Sequence, residues 1–268
     1  MLSSGRIFEL NIFAIYAAII ILVAGAAEVG NWIGRRFRKP GAEGADIGTL
    51  TAAALGLLAL LLAFSFSIAL SRFDARRDMV LEEANAIGSV ANFARLLPQD
   101  TQTPILSLLR DYAAVRLALG DASDAKRQDD IARSLDLQGR LWREAAAASA
   151  AAPQSLPAYS FANALNELTN IHERRLANLR YHVPPAVIFM LIGVAIVAMG
   201  FTGYNSGFLG ARRRAPDLIM SVTIALLIML VLDLDDPRRG LIQVPVQPLV
   251  DVAGGLAAPR AQRGRGEA

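Results

Sequence analysis

Several sets of polar side chains in this chain have types and spacings that could do chemistry. Ser67, Ser71 and Asp74, followed by Asp78 and Glu82, recur at helical spacing on one side of an otherwise apolar stretch. Such a stripe descending into a membrane would line an aqueous path, with Phe64, about one turn below, as an apolar constriction. The plainer reading has the hydroxyls bonding to their own helix carbonyls and the acids facing water. Glu83 falls on the other pattern, with Val80, Ile87, Val90 and Ala94, where a carboxylate needs a partner. His172 shares a face with Leu165, Leu168 and Leu179. Glu83, Asn85, Glu167 and His172 therefore form a candidate ion or ligand site, or else a satisfied buried polar network that includes Arg175. A third set, Arg72, Arg76 and Arg77 with Asp233, Asp235, Arg238 and Arg239, edges two apolar runs and predicts charge pairing at a membrane boundary, or Arg anchoring to headgroups. Glu28, an acid within an apolar run, is a functional candidate as an intramembrane carboxylate, or else pairs at the interface with Arg35 and Arg36 about two turns on.

None of these sets is an enzyme's. The chain has no Cys and only two His, which removes thiolate chemistry and multi-histidine metal sites. No Gly-rich phosphate loop, nucleophile elbow, triad or supported carboxylate pair occurs in it. The sequence predicts no catalysis, metal or cofactor. With 54% hydrophobic and 19% charged residues, it is too apolar for an ordinary soluble domain. The net charge is only +3, and the arginines cluster beside apolar runs, where they set membrane topology. The expected partner is a lipid bilayer, and no nucleic-acid footprint is implied.

The elements that must position these residues follow from apolar run length. Segments of about 20 apolar residues are long enough to cross a bilayer. They are Leu10 to Ile33, Leu50 to Leu70, Val183 to Tyr204 and, shorter, Asp217 to Leu234. Arg6, the run Ile12 to Val23 and Ala24-Gly25-Ala26 mimic a cleavable signal peptide, but the basic cluster Arg35, Arg36, Arg38 and Lys39 resists export and favours a retained anchor. Between spans two and three, four amphipathic helices are predicted. The first continues the second span to Pro98. The next starts at a Thr103 cap with Pro104 at the first helical position and exposes Leu106, Leu109, Ala113 and Leu117 on its packing face. A third runs from Asp124 to about Ala150, and the last leads from Ala158 to Pro184 and Pro185.

The predicted fold is an all-α integral membrane protein with four transmembrane helices and a four-helix amphipathic bundle between spans two and three. The divisions are 1–71, a transmembrane hairpin; 72–182, the bundle; 183–236, a second hairpin; and 237–268, an extension whose end is disordered. The short loops holding Arg35, Arg36, Arg38 and Lys39, and then Arg212, Arg213 and Arg214, belong inside. That places the bundle outside, in the periplasm if the Arg-rich, Ala-rich composition reflects a bacterial inner-membrane protein.

Three stretches, "LLAFSFSIALSRFDARRDMVLEEANAIG", "LNELTNIHERRL" and "LDLDDPRRGLIQVPVQPLVDV", resemble a bacterial family of membrane proteins labelled bestrophin-like. The resemblance runs from the first span to about Val252. It implies a relation to bestrophins, pentameric anion channels with four spans per subunit and a large helical region after the second. Asp236 departs from the family, where an Arg is commoner, and so does "QVPVQPL", usually a Ser-Gln-containing version. Bestrophins keep their helical region in the cytosol, opposite to the side that the arginine-rich loops imply. The expected function is an oligomeric channel or transport-related pore for small inorganic ions, anions favoured. The rival readings are a membrane sensor whose bundle binds a ligand or partner, and a purely structural membrane protein.

Overall fold

The computed structural model describes residues 12–38, 45–119, 124–178, 183–210, 214–236 and 241–257. These form eight helices and no strand: α1 Ile12–Arg36, α2 Ala45–Ala94, α3 Gln99–Ala118, α4 Asp124–Ala151, α5 Leu156–Asn178, α6 Pro185–Phe208, α7 Arg214–Asp235 and α8 Gln247–Ala257. Among them α1, the apolar part of α2, α6 and α7 are long and apolar enough to cross a membrane. The chain divides into two compact units, residues 1–73 with 182–243, and residues 74–181 with 244–268.

α2 is one helix of 50 residues. At 1.5 Å per residue it is about 75 Å long, against a hydrocarbon core of about 30 Å. No Pro interrupts it, and its glycines at 48, 56 and 88 are each tolerated singly within a helix. From Ser71 onward charged side chains replace the apolar run. Its inward face repeats at about seven residues, through Thr51, Leu58 and Ser65 and then Ala69, Arg76, Glu83 and Val90.

The first unit packs α1 against α6 and α7. Its interior is Ile19, Val23, Ala27, Leu58, Leu191, Ala195, Ala198, Met199, Ala225 and Ile228. Outward it shows Phe13, Ile21, Leu57, Phe64, Phe189, Val197 and Ile219. An apolar outer surface of this kind fits a lipid solvent. α1 and α6 touch backbone to backbone. A Cβ on Gly203 would run into the Ala27 carbonyl, one on Gly207 into that of Asn31, and one on Gly30 into that of Gly200. Small residues let helices in lipid approach this closely and gain dispersion contacts there.

The second unit is built from the end of α2 with α3, α4, α5 and α8. Its core gathers Val80, Ile87, Val90, Ile105, Leu109, Tyr112, Leu141, Phe161, Leu165 and Leu168. α3 departs from the sequence expectation, because it begins at Gln99 after a Pro98 N-cap, and Pro104 lies inside it. Pro98 ends α2 and pre-sets the first turn of α3, so Thr103 is not needed as a cap. Its hydroxyl instead bonds back to the Gln99 carbonyl at 3.3 Å. The Gln102 amide donates to the carbonyls of Arg95 (2.9 Å) and Leu97 (2.7 Å), closing the end of α2. The packing face of α3 is also rotated from the expected one. Ile105, Leu108, Leu109, Tyr112, Ala113, Val115 and Arg116 are buried, while Leu106 and Leu117 lie at the margin.

The segment after α7 holds a further helix, α8, that the sequence reading took only as an extension. Leu249 and Leu256 enter the core of the bundle, and Arg110 donates to the Leu256 carbonyl at 3.1 Å. Residues 258–268 lie outside the described residues.

The close approach of α1 and α6 predicts that Gly203→Ala destabilises the protein by about 1–3 kcal/mol through overpacking. Gly193→Ala, on the same helix but with open space around the added methyl, should leave stability unchanged or slightly raised. Thermal unfolding of both variants in detergent checks the contrast, and equal midpoints would contradict the packing.

Candidate functional site

Four helices of the second unit each send a polar side chain to one buried point. Glu83 from α2 has no exposed surface, nor do Tyr112 and Arg116 from α3 or His172 from α5. Gln138 from α4 and Arg175 from α5 are almost as deep. Arg116 approaches side-on, Nε donating to Glu83 Oε1 at 2.6 Å and Nη2 to Oε2 at 3.3 Å. Arg175 Nη1 donates to Oε2 from the other side. Tyr112 Oη lies 3.0 Å from Glu83 Oε1 and 3.0 Å from His172 Nδ1, and accepts from Gln138 Nε2 at 3.4 Å.

The electrostatics follow from this geometry. Burial pushes the Glu83 carboxyl up, but Arg116 and Arg175 outweigh it and hold the group below the usual carboxylate range, so it is ionised. Burial and the Glu83 charge raise the Tyr112 phenol, which stays protonated. Its single proton goes to the carboxylate, the stronger acceptor. His172 Nδ1 must then carry its own hydrogen and donate to Tyr112 Oη, leaving Nε2 as a bare acceptor. Burial first, and Arg116 next, lower the His172 pKa from 6.5 to about 4, so the ring is neutral.

The structure separates residues that the sequence grouped. Asn85 is exposed on α2. It is two positions from Glu83, and such a step turns more than half way round a helix. Glu167 is also exposed, on α5, and pairs with Arg174 at 3.1 Å. Neither belongs to the cluster, which consists of Glu83 and His172 with Arg175 and three residues that the sequence reading did not name. Arg116 is the most consequential of the three. Its signal was its place four residues after Tyr112 and seven after Leu109, on a buried face.

Of the boundary charges, two acids have backbone partners in the first unit. Asp233 accepts from Tyr16 Oη and from the backbone N–H groups of Leu241 and Ile242, each at 2.8 Å. Asp235 accepts from the Val183 N–H at 2.9 Å. These acids hold backbone turns at the ends of α7 and α6. Arg76 is buried, Arg72 is half-buried and Arg77 is exposed. Arg238 and Arg239 lie outside the described residues, as do Leu179 and the side chains of Arg212, Arg213 and Arg214. On α1, Arg35 Nε donates to Asn31 Oδ1 at 3.2 Å, while Glu28 is exposed.

Phe64, Ser67, Ser71 and Asp74 are all exposed on α2. They lie about half a turn from Leu58, Ser65 and Ala69, the residues that α2 buries.

Four apolar spanning helices and an amphipathic bundle with a charged core define a multi-span helical membrane protein. The chain belongs to the bestrophin-like family, since the Bestrophin-like domain model matches residues 21–249. It is similar in fold to a bacterial bestrophin homologue from Klebsiella pneumoniae. One form of that protein, carrying a point substitution, gives a TM-score of 0.66 at 18% identity, covering 88% of this chain and 98% of the other. Another structure of the homologue gives 0.62 at 18% identity, over 90% and 98%. A crystal structure of a membrane protein carrying a point substitution gives 0.69 at 18% identity, over 90% and 97%. No curated protein matches the chain.

His172 is neutral in the folded protein, whereas the unfolded chain takes up a proton on this ring below about pH 6.5. Its contribution to stability is therefore complete above that pH and is lost progressively as the pH falls from 6.5 towards 4. The melting temperature in detergent should fall across this window, and His172→Gln should flatten the fall. An identical pH profile in the two proteins would show that the ring is not held neutral.

Proposed function

We propose that this chain is a subunit of an oligomeric membrane channel for small inorganic ions, anions favoured. The observation that carries the reading is the exposed stripe Phe64, Ser67, Ser71 and Asp74 on a membrane-spanning helix. In a symmetric assembly, copies of α2 would turn this side towards a common axis. Phe64 would form an apolar ring and the hydroxyls weak ion contacts beside it. Membership of the bestrophin-like family supports the ion-conducting role, and the arginines at the span ends support the preference for anions. The short arginine-rich loops support an orientation with the bundle on the periplasmic side of a bacterial inner membrane.

If Phe64 is a constriction, Phe64→Ala should raise anion flux into liposomes containing the reconstituted protein. A Phe that only packs, buried against another subunit, would instead cost about 3–5 kcal/mol on truncation and leave flux unchanged or reduced. The purified protein should also have the mass of three or more subunits in mild detergent, because fewer cannot enclose an axial pore. A monomer without flux would overturn the channel.

Orientation is tested separately. A single Cys at position 122 of this Cys-free chain should react with a membrane-impermeant maleimide in intact spheroplasts. Reaction only after lysis would place the bundle in the cytosol.

A further inference from the structure

The buried cluster of the second unit is not balanced in charge. One ionised carboxylate, Glu83, faces two guanidinium groups, Arg116 and Arg175, while His172 is neutral in the tautomer that Tyr112 dictates. One positive charge is left over. Arg175 keeps 10% of its side-chain surface in contact with solvent, but Arg116 keeps none. The hydrogen bonding is also incomplete. Arg116 spends Nε and Nη2 on Glu83, and its buried Nη1 has no acceptor among the described residues. His172 Nε2, the buried acceptor of the cluster, has no donor among the described residues. A guanidinium is planar, so an Nη1 left over from a side-on pair points away from the carboxylate. The core around it is apolar, with Ile105, Leu109, Phe161, Leu165 and Leu168 showing no surface.

We propose that the bundle core is a binding site for one small monovalent anion of halide size, held by Arg116 Nη1 beside the Glu83 cluster. A cation is excluded by the sign of the uncompensated charge and by the donor character of the orphan atom. A divalent anion would overshoot the single charge to be matched. A large or carboxylate-bearing anion would have to displace the buried Phe and Leu side chains of this core. Water could accept from Nη1 but would leave the positive charge in place, and that difference separates the two occupants by experiment. The site is in the bundle and distinct from the α2 stripe, so it stands whether or not the spans conduct ions.

The test uses the full chain in detergent with His182→Gln, which makes His172 the sole histidine and its ring resonances a local probe. Chloride or bromide is titrated against gluconate at constant ionic strength, and the melting temperature is followed in parallel. The expected result is a saturable shift of the His172 ring and a saturable rise in melting temperature with either halide and not with gluconate. Arg175→Gln removes the surplus charge and should weaken halide binding at least tenfold, whereas Arg175→Lys keeps the charge and should retain it. A ring that responds equally to gluconate and halide, or not at all, overturns the site in favour of a water-filled structural cluster. Halide affinity unchanged in Arg175→Gln overturns the charge argument.

Discussion

The Glu83 carboxylate has no contact with solvent, and an ionised group in that position is tolerable only where donors and cations replace its water. Those replacements come from α3 and α5 directly, and from α4 through the bond between Gln138 and Tyr112. Removing one partner of such a pair typically costs about 3–5 kcal/mol, while replacing the whole cluster with apolar side chains is often neutral. The cluster is therefore a poor source of net stability and a strong constraint on register. Sliding α3 by one residue would carry Arg116 off Glu83 and bury a cation among Leu and Phe. The apolar core alone would tolerate such slips far better, because hydrophobic contacts are not directional.

That distinction explains what could be read from the sequence and what could not. Apolar run length fixes the spans, and the 3.6-residue period marks Glu83 and His172 as buried without any structure. Their partners are another matter. Periodicity says which face a residue is on and nothing about which face of another helix meets it, so proximity in sequence alone joins Asn85 to Glu83 and Glu167 to His172. Arg116 was passed over because arginine is usually solvated, although it recurs with Leu109 and Tyr112 on the packed face. The expected face of α3, through Leu106 and Leu117, counted only aliphatic residues. Restoring Tyr112 and Arg116 to the count rotates it to the observed one.

The short connections misled for a related reason. Thr103-Pro104 has the form of a helix start, but Pro98 ends α2 and opens α3 five residues earlier, and Gln102 then takes up carbonyls that a longer turn would have exposed. The Asp233 carboxylate takes two backbone N–H groups and a phenol, partners that a chain turning back directly after a helix must supply and that charge spacing in the sequence does not reveal. The packing of α1 on α6 was present in the sequence as Gly30 with Gly34 and Gly203 with Gly207, each pair four residues apart. The meaning of those pairs depends on lipid being the solvent, where close backbone approach takes over from hydrophobic burial as the force between helices.

The same change of solvent gives the exposed side of α2 its weight. On a soluble protein, exposed Ser67 and Ser71 would call for no explanation. On a helix long and apolar enough to span a bilayer they face either lipid, another subunit or water. Hydroxyls can satisfy themselves on their own helix carbonyls, so the serines alone would be compatible with lipid. Asp74 has no such escape, and Asp78 and Glu82 continue the same side beyond it. A polar side that strengthens steadily towards one end, with a large exposed Phe at its apolar limit, follows a gradient of hydration along the helix. Ser67 and Ser71 therefore sit where the lipid-compatible surface of α2 gives way to its charged, water-facing part, and Glu82 further along is answered by Arg174 at 3.6 Å.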